Sequence, residues 1–166
     1  MSEGTPVRTA LYEEHVALNA NLVDFHGFEL PIWYSNIKQE HLATRATAGL
    51  FDVSHMGSFR FSGKEVKSWL EGLATQKVTA VAPPRCAYTH FLDDDGVLID
   101  DMIFAVVSEE EILGVPNASM IGVMWEWFSK HLPTDGSIQL ENLSDATSIM
   151  ALQGPEAKAL LSSVLG

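Results

Sequence analysis

Two apolar runs, residues 86–92 and 97–107, are separated only by Asp93-Asp94-Asp95-Gly96. That spacing constrains the fold more than any other feature of the chain. A short polar turn ending in glycine between two runs of strand character has to fold back as a β-hairpin. The flanking segments extend the pattern. Residues 57–61 alternate Phe59 and Phe61 with polar neighbours, and Ser62-Gly63 marks a turn. Residues 64–74 place Val66, Trp69, Leu70 and Leu73 on one helical face, and residues 112–115 read as a further strand. Residues 118–131 carry Ile121, Met124, Trp125 and Phe128 as an amphipathic stripe, and residues 138–142 return to strand character. Strand, helix, several strands, helix, strand predicts an α+β fold of antiparallel sheets with packed helices, similar to a split βαβ arrangement. No glycine-rich loop follows a strand, which disfavours a doubly wound nucleotide-binding sheet.

Outside that block the pattern is weaker. A helix is expected over residues 11–22, with Thr9 as its N-cap, and an irregular stretch over 23–33, where Gly27 and Pro31 fall. A second helix is expected over 36–48 with Gly49 as its C-cap glycine, then a short strand or turn over 50–54. Near the end, residues 146–153 read as a strand and Gly154-Pro155 opens a last helix over 156–165.

Charge limits the partners. The formal net charge is −12, and the ten Lys and Arg residues form no run, which argues against nucleic acid or an anionic membrane. A lone cysteine, Cys86, cannot form an intrachain disulfide, and it reads as a buried structural thiol in a reducing compartment. The opening Met1-Ser2-Glu3-Gly4-Thr5-Pro6 has neither an apolar core nor an arginine-rich face, and no apolar run approaches the roughly 20 residues of a membrane span. A cytoplasmic setting is the expectation.

Among residues that could carry chemistry, Asp100 and Asp101 stand out inside an apolar strand. Adjacent strand residues point to opposite faces, so one carboxylate should meet the packed side or a pocket and the other should face away. A carboxylate in apolar surroundings is costly unless paired, which suits a tuned acid–base group; alternatively, both cap backbone at a strand end. Asp93, Asp94 and Asp95 lack EF-hand spacing and read as a solvated turn. The six histidines show no zinc spacing, and His55 reads as a structural histidine bonded to backbone. Asn117 suits a helix N-cap or a ligand's amide edge, while Tyr88 and Met56 read as core or pocket wall.

Several segments together carry a resemblance. Thr5-Pro6 followed by Leu11-Tyr12-Glu13-Glu14-His15, then Val23-Asp24-Phe25-His26-Gly27-Phe28-Glu29-Leu30-Pro31, come first. Ala48-Gly49-Leu50-Phe51-Asp52-Val53-Ser54-His55-Met56-Gly57 and Gly96-Val97-Leu98-Ile99-Asp100-Asp101-Met102 follow, and then Val115-Pro116-Asn117-Ala118-Ser119 and Ala151-Leu152-Gln153-Gly154-Pro155. In order and spacing they resemble the T-protein family, the aminomethyltransferases of the glycine cleavage system. The chain departs from the family's pattern in Val7-Arg8-Thr9-Ala10, which are inserted, and in Phe28 and Pro116, which stand where Trp and Val are usual.

The resemblance implies transfer of an aminomethyl carbon from lipoylated H-protein to tetrahydrofolate, giving 5,10-methylenetetrahydrofolate and ammonia, without a metal. It implies Asp101 as the catalytic carboxylate and Met56, Tyr88 and Asn117 as folate-contacting positions. It also implies an incomplete fold, with residues 1–50 and 138–166 in a first domain, residues 51–137 in a second, and a C-terminal half and barrel domain absent, to be supplied by a second chain. A non-catalytic folate-binding module and a piece of a folate-dependent demethylase are the competing expectations.

Overall fold

The computed structural model describes residues 4–166, so the part of the leader expectation that rests on Met1, Ser2 and Glu3 lies outside the described residues. In chain order the elements are β1 (Val7–Arg8), α1 (Tyr12–Ala17), β2 (Asn21–Phe25), β3 (Phe28–Trp33), α2 (Ile37–Ala46) and β4 (Gly49–Asp52). Then come β5 (Phe59–Ser62), α3 (Val66–Leu73), β6 (Arg85–Leu92), β7 (Leu98–Ser108), β8 (Glu111–Pro116), α4 (Ile121–His131), β9 (Gln139–Asn142), β10 (Met150–Gln153) and α5 (Ala157–Leu165). The chain divides into two compact units, Met56–Thr147 and the remainder on either side of it, which ends at His55 and resumes at Ser148.

The unit Met56–Thr147 is a five-stranded sheet in the order β6-β7-β8-β5-β9, with every neighbouring pair antiparallel. The α+β class read from the sequence is the observed one. The alternation of β5 sends Phe59 and Phe61 inward, and β7 sends Met102, Phe104 and Val106 to the same face; all five are at most 1% exposed. Helices α3 and α4 cover that face, with Val66 and Leu70 from one and Met124 and Phe128 from the other fully buried. Phe128 is the hub: its ring lies 4.9 Å from Phe61 and 5.1 Å from Phe91, both edge to face. Each such side chain contributes about 1.5–3 kcal/mol by leaving water. The opposite face, with Tyr88, Ile103 and Val107 exposed, has no helix over it within this unit.

The expected boundary at residues 137–138 is displaced. Strand β9 pairs antiparallel with β5, from Phe59 opposite Asn142 to Ser62 opposite Gln139, so residues to Thr147 belong to this unit. Cys86 is also unlike its expectation: it sits exposed at the start of β6.

The other unit holds a three-stranded sheet, β1-β3-β2, and a two-stranded one, β10-β4, with α1, α2 and α5. The stretch expected to be irregular is the β2–β3 hairpin. His26 and Gly27 both take left-handed backbone, φ 53° and 86°, between the paired residues Phe25 and Phe28. That is the two-residue turn whose twist matches the strands it joins. Pro31 sits at a register irregularity and beyond the two residues that β1 pairs, where a missing N–H is tolerated. Helix α1 stops at Ala17 because Asn19 turns left-handed at φ 55°, much shorter than the helix expected to residue 22. Gly49 is not a cap: α2 ends at Ala46, and Gly49 opens β4 opposite Gln153. Only Met150–Gln153 of the last expected strand is paired. Among the described residues no helix is long and apolar enough to cross a membrane.

Candidate functional site

Asp100 and Asp101 lie inside β7, not at a strand end, and the alternation separates them. Asp100 faces the packed side and is 7% exposed. Asp101 is half-buried on the outer face, next to exposed Tyr88 and Ile103. The β6–β7 register sets Tyr88 opposite Ile103 and His90 opposite Asp101. Tyr88 and Asp101 are therefore diagonal neighbours on one face, within reach of a long side chain. The Tyr88 hydroxyl donates to Asp101 Oδ2. That bond, with some burial and the charges of Asp101 and Asp100, holds the Tyr88 phenol above its ordinary range. Tyr88 is thus neither core nor enclosed; it is an exposed donor trained on a carboxylate.

Asn117 follows the last residue of β8. Its side chain makes no cap bond to the helical turn that begins at Ala118. Instead Nδ2 donates to Asp100 Oδ1 at 2.8 Å and to the Asp101 carbonyl at 3.1 Å. One amide group thus fixes both the buried carboxylate and the backbone of the outer one. The remaining oxygen of Asp100, Oδ2, is buried without a partner among the described residues. Met56 reaches the same end of the sheet through its neighbour: Gly57 N–H donates to the Pro116 carbonyl at 3.0 Å, one residue before Asn117. The closeness requires glycine, since a Cβ there would lie 2.6 Å from Pro116 Cγ and 2.9 Å from Ile121 Cγ1. The structure bonds Tyr88 to the Asp101 carboxylate and Asn117 to the Asp101 backbone, whereas Met56 makes no hydrogen bond to them among the described residues.

Sequence reasoning missed a second polar cluster, in the other unit. His15 on α1 is 5% exposed. Its Nδ1 lies 2.9 Å from the Tyr34 hydroxyl, and its Nε2 lies 2.9 Å from Asp52 Oδ2. Thr9 Oγ1 donates to the same Asp52 oxygen at 2.6 Å, and Ser54 N–H donates to Oδ1 at 2.9 Å. An ionised carboxylate only accepts, so Nε2 donates to Asp52, and Nδ1 shares its hydrogen bond with the Tyr34 hydroxyl. Burial pushes the Asp52 carboxyl up, but hydrogen bonds from Ser54, Thr9 and His15 outweigh it and leave it below the ordinary carboxylate range. Burial, reinforced by the charges of Asp52 and Glu40, raises the Tyr34 phenol. The available signal was helical spacing: His15 stands four residues after Leu11 and three before Leu18, on an apolar stripe.

His55 departs from its expectation too. Its ring sits edge-on to Phe25, with centroids 5.4 Å apart, and Nδ1 is buried with no hydrogen-bond partner among the described residues. Burial holds its pKa below the usual histidine value. Among the described residues no group of three or more His, Cys, Asp or Glu side chains could hold a metal ion.

Comparison with known proteins adds kinship to this geometry. The family described as the GCVT N-terminal domain matches residues 11–166. An aminomethyltransferase of Chloroherpeton thalassium is 41% identical over 156 residues, which cover 94% of this chain and 43% of that protein. The aminomethyltransferase of Bacillus subtilis is 40% identical over 157 residues, 95% of this chain and 43% of its own length. The crystal structure of glycine cleavage system aminomethyltransferase T from Bartonella henselae superposes with a TM-score of 0.86 at 29% identity, covering 94% of this chain and 43% of that one. The chain therefore spans less than half the length of the relatives it matches.

Proposed function

Because the chain belongs to the GCVT N-terminal domain family, we propose that it carries the folate-facing part of an aminomethyltransferase of the glycine cleavage system. In this reading the donor is an aminomethyl group on the lipoyl arm of H-protein, the acceptor is tetrahydrofolate, and a further polypeptide region completes the site. The setting is cytoplasmic, as the single cysteine suggests. The chemistry balances: the carbon leaves sulfur and its amine, forms bonds to two folate nitrogens, and the two protons they release pass to the sulfur and to the departing ammonia.

One observation carries the assignment: Tyr88 on β6 and Asp101 on β7 meet on one open, partly apolar sheet face, with Asn117 at the end of β8 bonded to the Asp101 backbone. A pteridine is flat, apolar on its faces and rich in N–H groups along its edge. Ile103 and the Tyr88 ring offer surface for its face, and the Asp101 carboxylate offers acceptors for its edge. Asp101 also lowers the cost of the cationic centre that develops as ammonia leaves, and it can take part in moving the folate protons. Tyr88 bonds that carboxylate and Asn117 ties down the Asp101 backbone, so little reorganisation is needed at the moment of transfer.

The experiment is reconstitution. The chain is combined with a polypeptide supplying the relatives' remaining length, and turnover with lipoylated H-protein and tetrahydrofolate is measured. Asp101→Asn is expected to lower turnover by about 10²-fold or more, in line with the loss of a general acid–base group, while far-UV circular dichroism stays unchanged. Near-normal turnover in that variant rules the role out. Tight tetrahydrofolate binding by the chain alone, with no turnover in the reconstituted system, makes it a folate-binding module instead.

A further inference from the structure

Asp100 is the carboxylate of the Asp100–Asp101 pair that the proposed transfer chemistry does not use. It is 7% exposed on the packed side of β7. A buried carboxylate is costly unless hydrogen bonds answer it. Among the described residues Asp100 has one such bond: Oδ1 accepts from Asn117 Nδ2 at 2.8 Å, while Oδ2 has none. An apolar side chain would fill the position without that cost, so packing does not account for the aspartate.

The backbone around Asp100 leaves a gap that the amide fills. The pairing of β7 with β8 ends at Met102 opposite Pro116, so Asp100 and Asp101 run past that ladder. On the other side the β6–β7 register shifts between Phe91 and Leu92, and Phe91 is the residue opposite Asp100. Irregularities of this kind re-aim side chains beside functional sites. Beyond the end of β8 the Asp101 carbonyl is bonded by Asn117 Nδ2 at 3.1 Å. A carbonyl oxygen only accepts, so the atom facing it is the amide nitrogen, whether or not Asp100 carries a proton. Nδ2 has two hydrogens, and Asp100 Oδ1 and the Asp101 carbonyl take both. Asn117 Oδ1 accepts from no donor among the described residues, and the planar amide fixes where that oxygen lies.

We infer, resting on the folate-facing reading above, that Asp100 is a positioning residue for the tetrahydrofolate site. By holding one Nδ2 hydrogen it stops the Asn117 amide from turning. The Asp101 backbone then stays tied, and Asn117 Oδ1 stays an acceptor for the N–H edge of the pteridine. Asp100 itself does not touch the ligand. With the bond to the Asp101 carbonyl alone, the amide could pivot about it and the acceptor would lose its direction.

The experiment uses the reconstituted system and reads KM for tetrahydrofolate apart from kcat. Asp100→Ala is expected to raise KM about five- to ten-fold, the scale of one hydrogen bond, with kcat within about two-fold of the parent. Asp100→Asn keeps an oxygen for Asn117 Nδ2 and should hold KM within about two-fold of the parent. A merely structural role would lower kcat by reducing the folded fraction and leave KM unchanged. Asn117→Ala should raise KM by a similar factor, and adding Asp100→Ala to it should raise KM no further, because one residue acts through the other. In the isotopically labelled parent chain, both Asn117 Nδ2 hydrogens should exchange with solvent more slowly than those of an exposed amide. An unchanged KM in Asp100→Ala, additive effects in the double variant, or a fast-exchanging Nδ2 hydrogen in the parent overturns the role. The transfer reading fails separately: near-normal turnover in Asp101→Asn removes that carboxylate's part and leaves the KM comparison standing.

Discussion

At the residue scale, the two polar clusters differ in how their charge is held. Asp52 has a side-chain exposure of 1% and is answered by a histidine whose side chain is 6% exposed. Removing His15 takes one hydrogen-bond donor from a buried carboxylate that Thr9 and Ser54 still hold. His15→Ala is expected to destabilise the unit by about 1–3 kcal/mol, read as a shift in urea midpoint, whereas Tyr88→Phe on the open face should stay within about 0.5 kcal/mol. A His15→Ala midpoint close to that of the parent protein contradicts a supporting role for the pair. The pH dependence follows from two depressed groups. Asp52 has a folded-state pKa below its unfolded one, so its contribution is present above the ordinary aspartate range and lost as pH falls through it. His55 is likewise lowered, so the unfolded chain binds its proton first, and stability falls as pH drops below about 6.5. Both act in one direction: thermal midpoints should decline from neutral pH downward, first gently and then steeply near pH 4. A flat profile between pH 7 and 5 excludes the His55 part.

At the scale of elements, the β2–β3 hairpin depends on two left-handed residues. Gly27 adopts φ 86° without cost, and its N–H donates to Asp24 Oδ1 at 2.8 Å. A side chain in left-handed backbone costs about 1–2 kcal/mol, so Gly27→Ala should lower stability by that amount although nothing lies within 4 Å of the new Cβ. Gly154→Ala should do more harm, because its Cβ would lie 2.5 Å from the Thr47 carbonyl oxygen and 2.6 Å from that of Thr44. Backbone at the end of α2 cannot withdraw as a flexible side chain can. Thermal unfolding of the two variants checks the ranking; equal losses would mean that the contact at Gly154 relaxes cheaply.

At the scale of the whole molecule, much apolar surface is open. Val164 is 80% and Leu165 73% exposed on α5, and Val97, Leu50 and Leu18 each exceed 60%. Exposed apolar side chains of this size are surface that another polypeptide can cover. The chain by itself is expected to bind the dye ANS, and a polypeptide supplying the rest of the relatives' length should suppress that fluorescence. No dye binding by the chain alone contradicts an uncovered apolar surface.

How much was legible follows from where the information resides. The five-stranded sheet and its two helices could be read ahead of the structure because each element carries a strong local period: Phe59 and Phe61 at two residues, Met124 and Phe128 at four. That Asp100 and Asp101 face opposite ways was also legible, since adjacent residues of a strand point to opposite faces. The roles of Asn117 and His15 were not. Asn117 looked like a cap, and only the pairing of β7 with β8 brings its amide to Asp100 and the Asp101 carbonyl. His15 and Asp52 are 37 positions apart, and their meeting is set by α1 docking on its unit, not by spacing. Local sequence thus determined which segments become strand or helix, because side-chain alternation selects the face to be buried. Tertiary structure alone decided which distant polar groups meet, because a buried charge takes its partner from three-dimensional proximity, which no short-range pattern encodes.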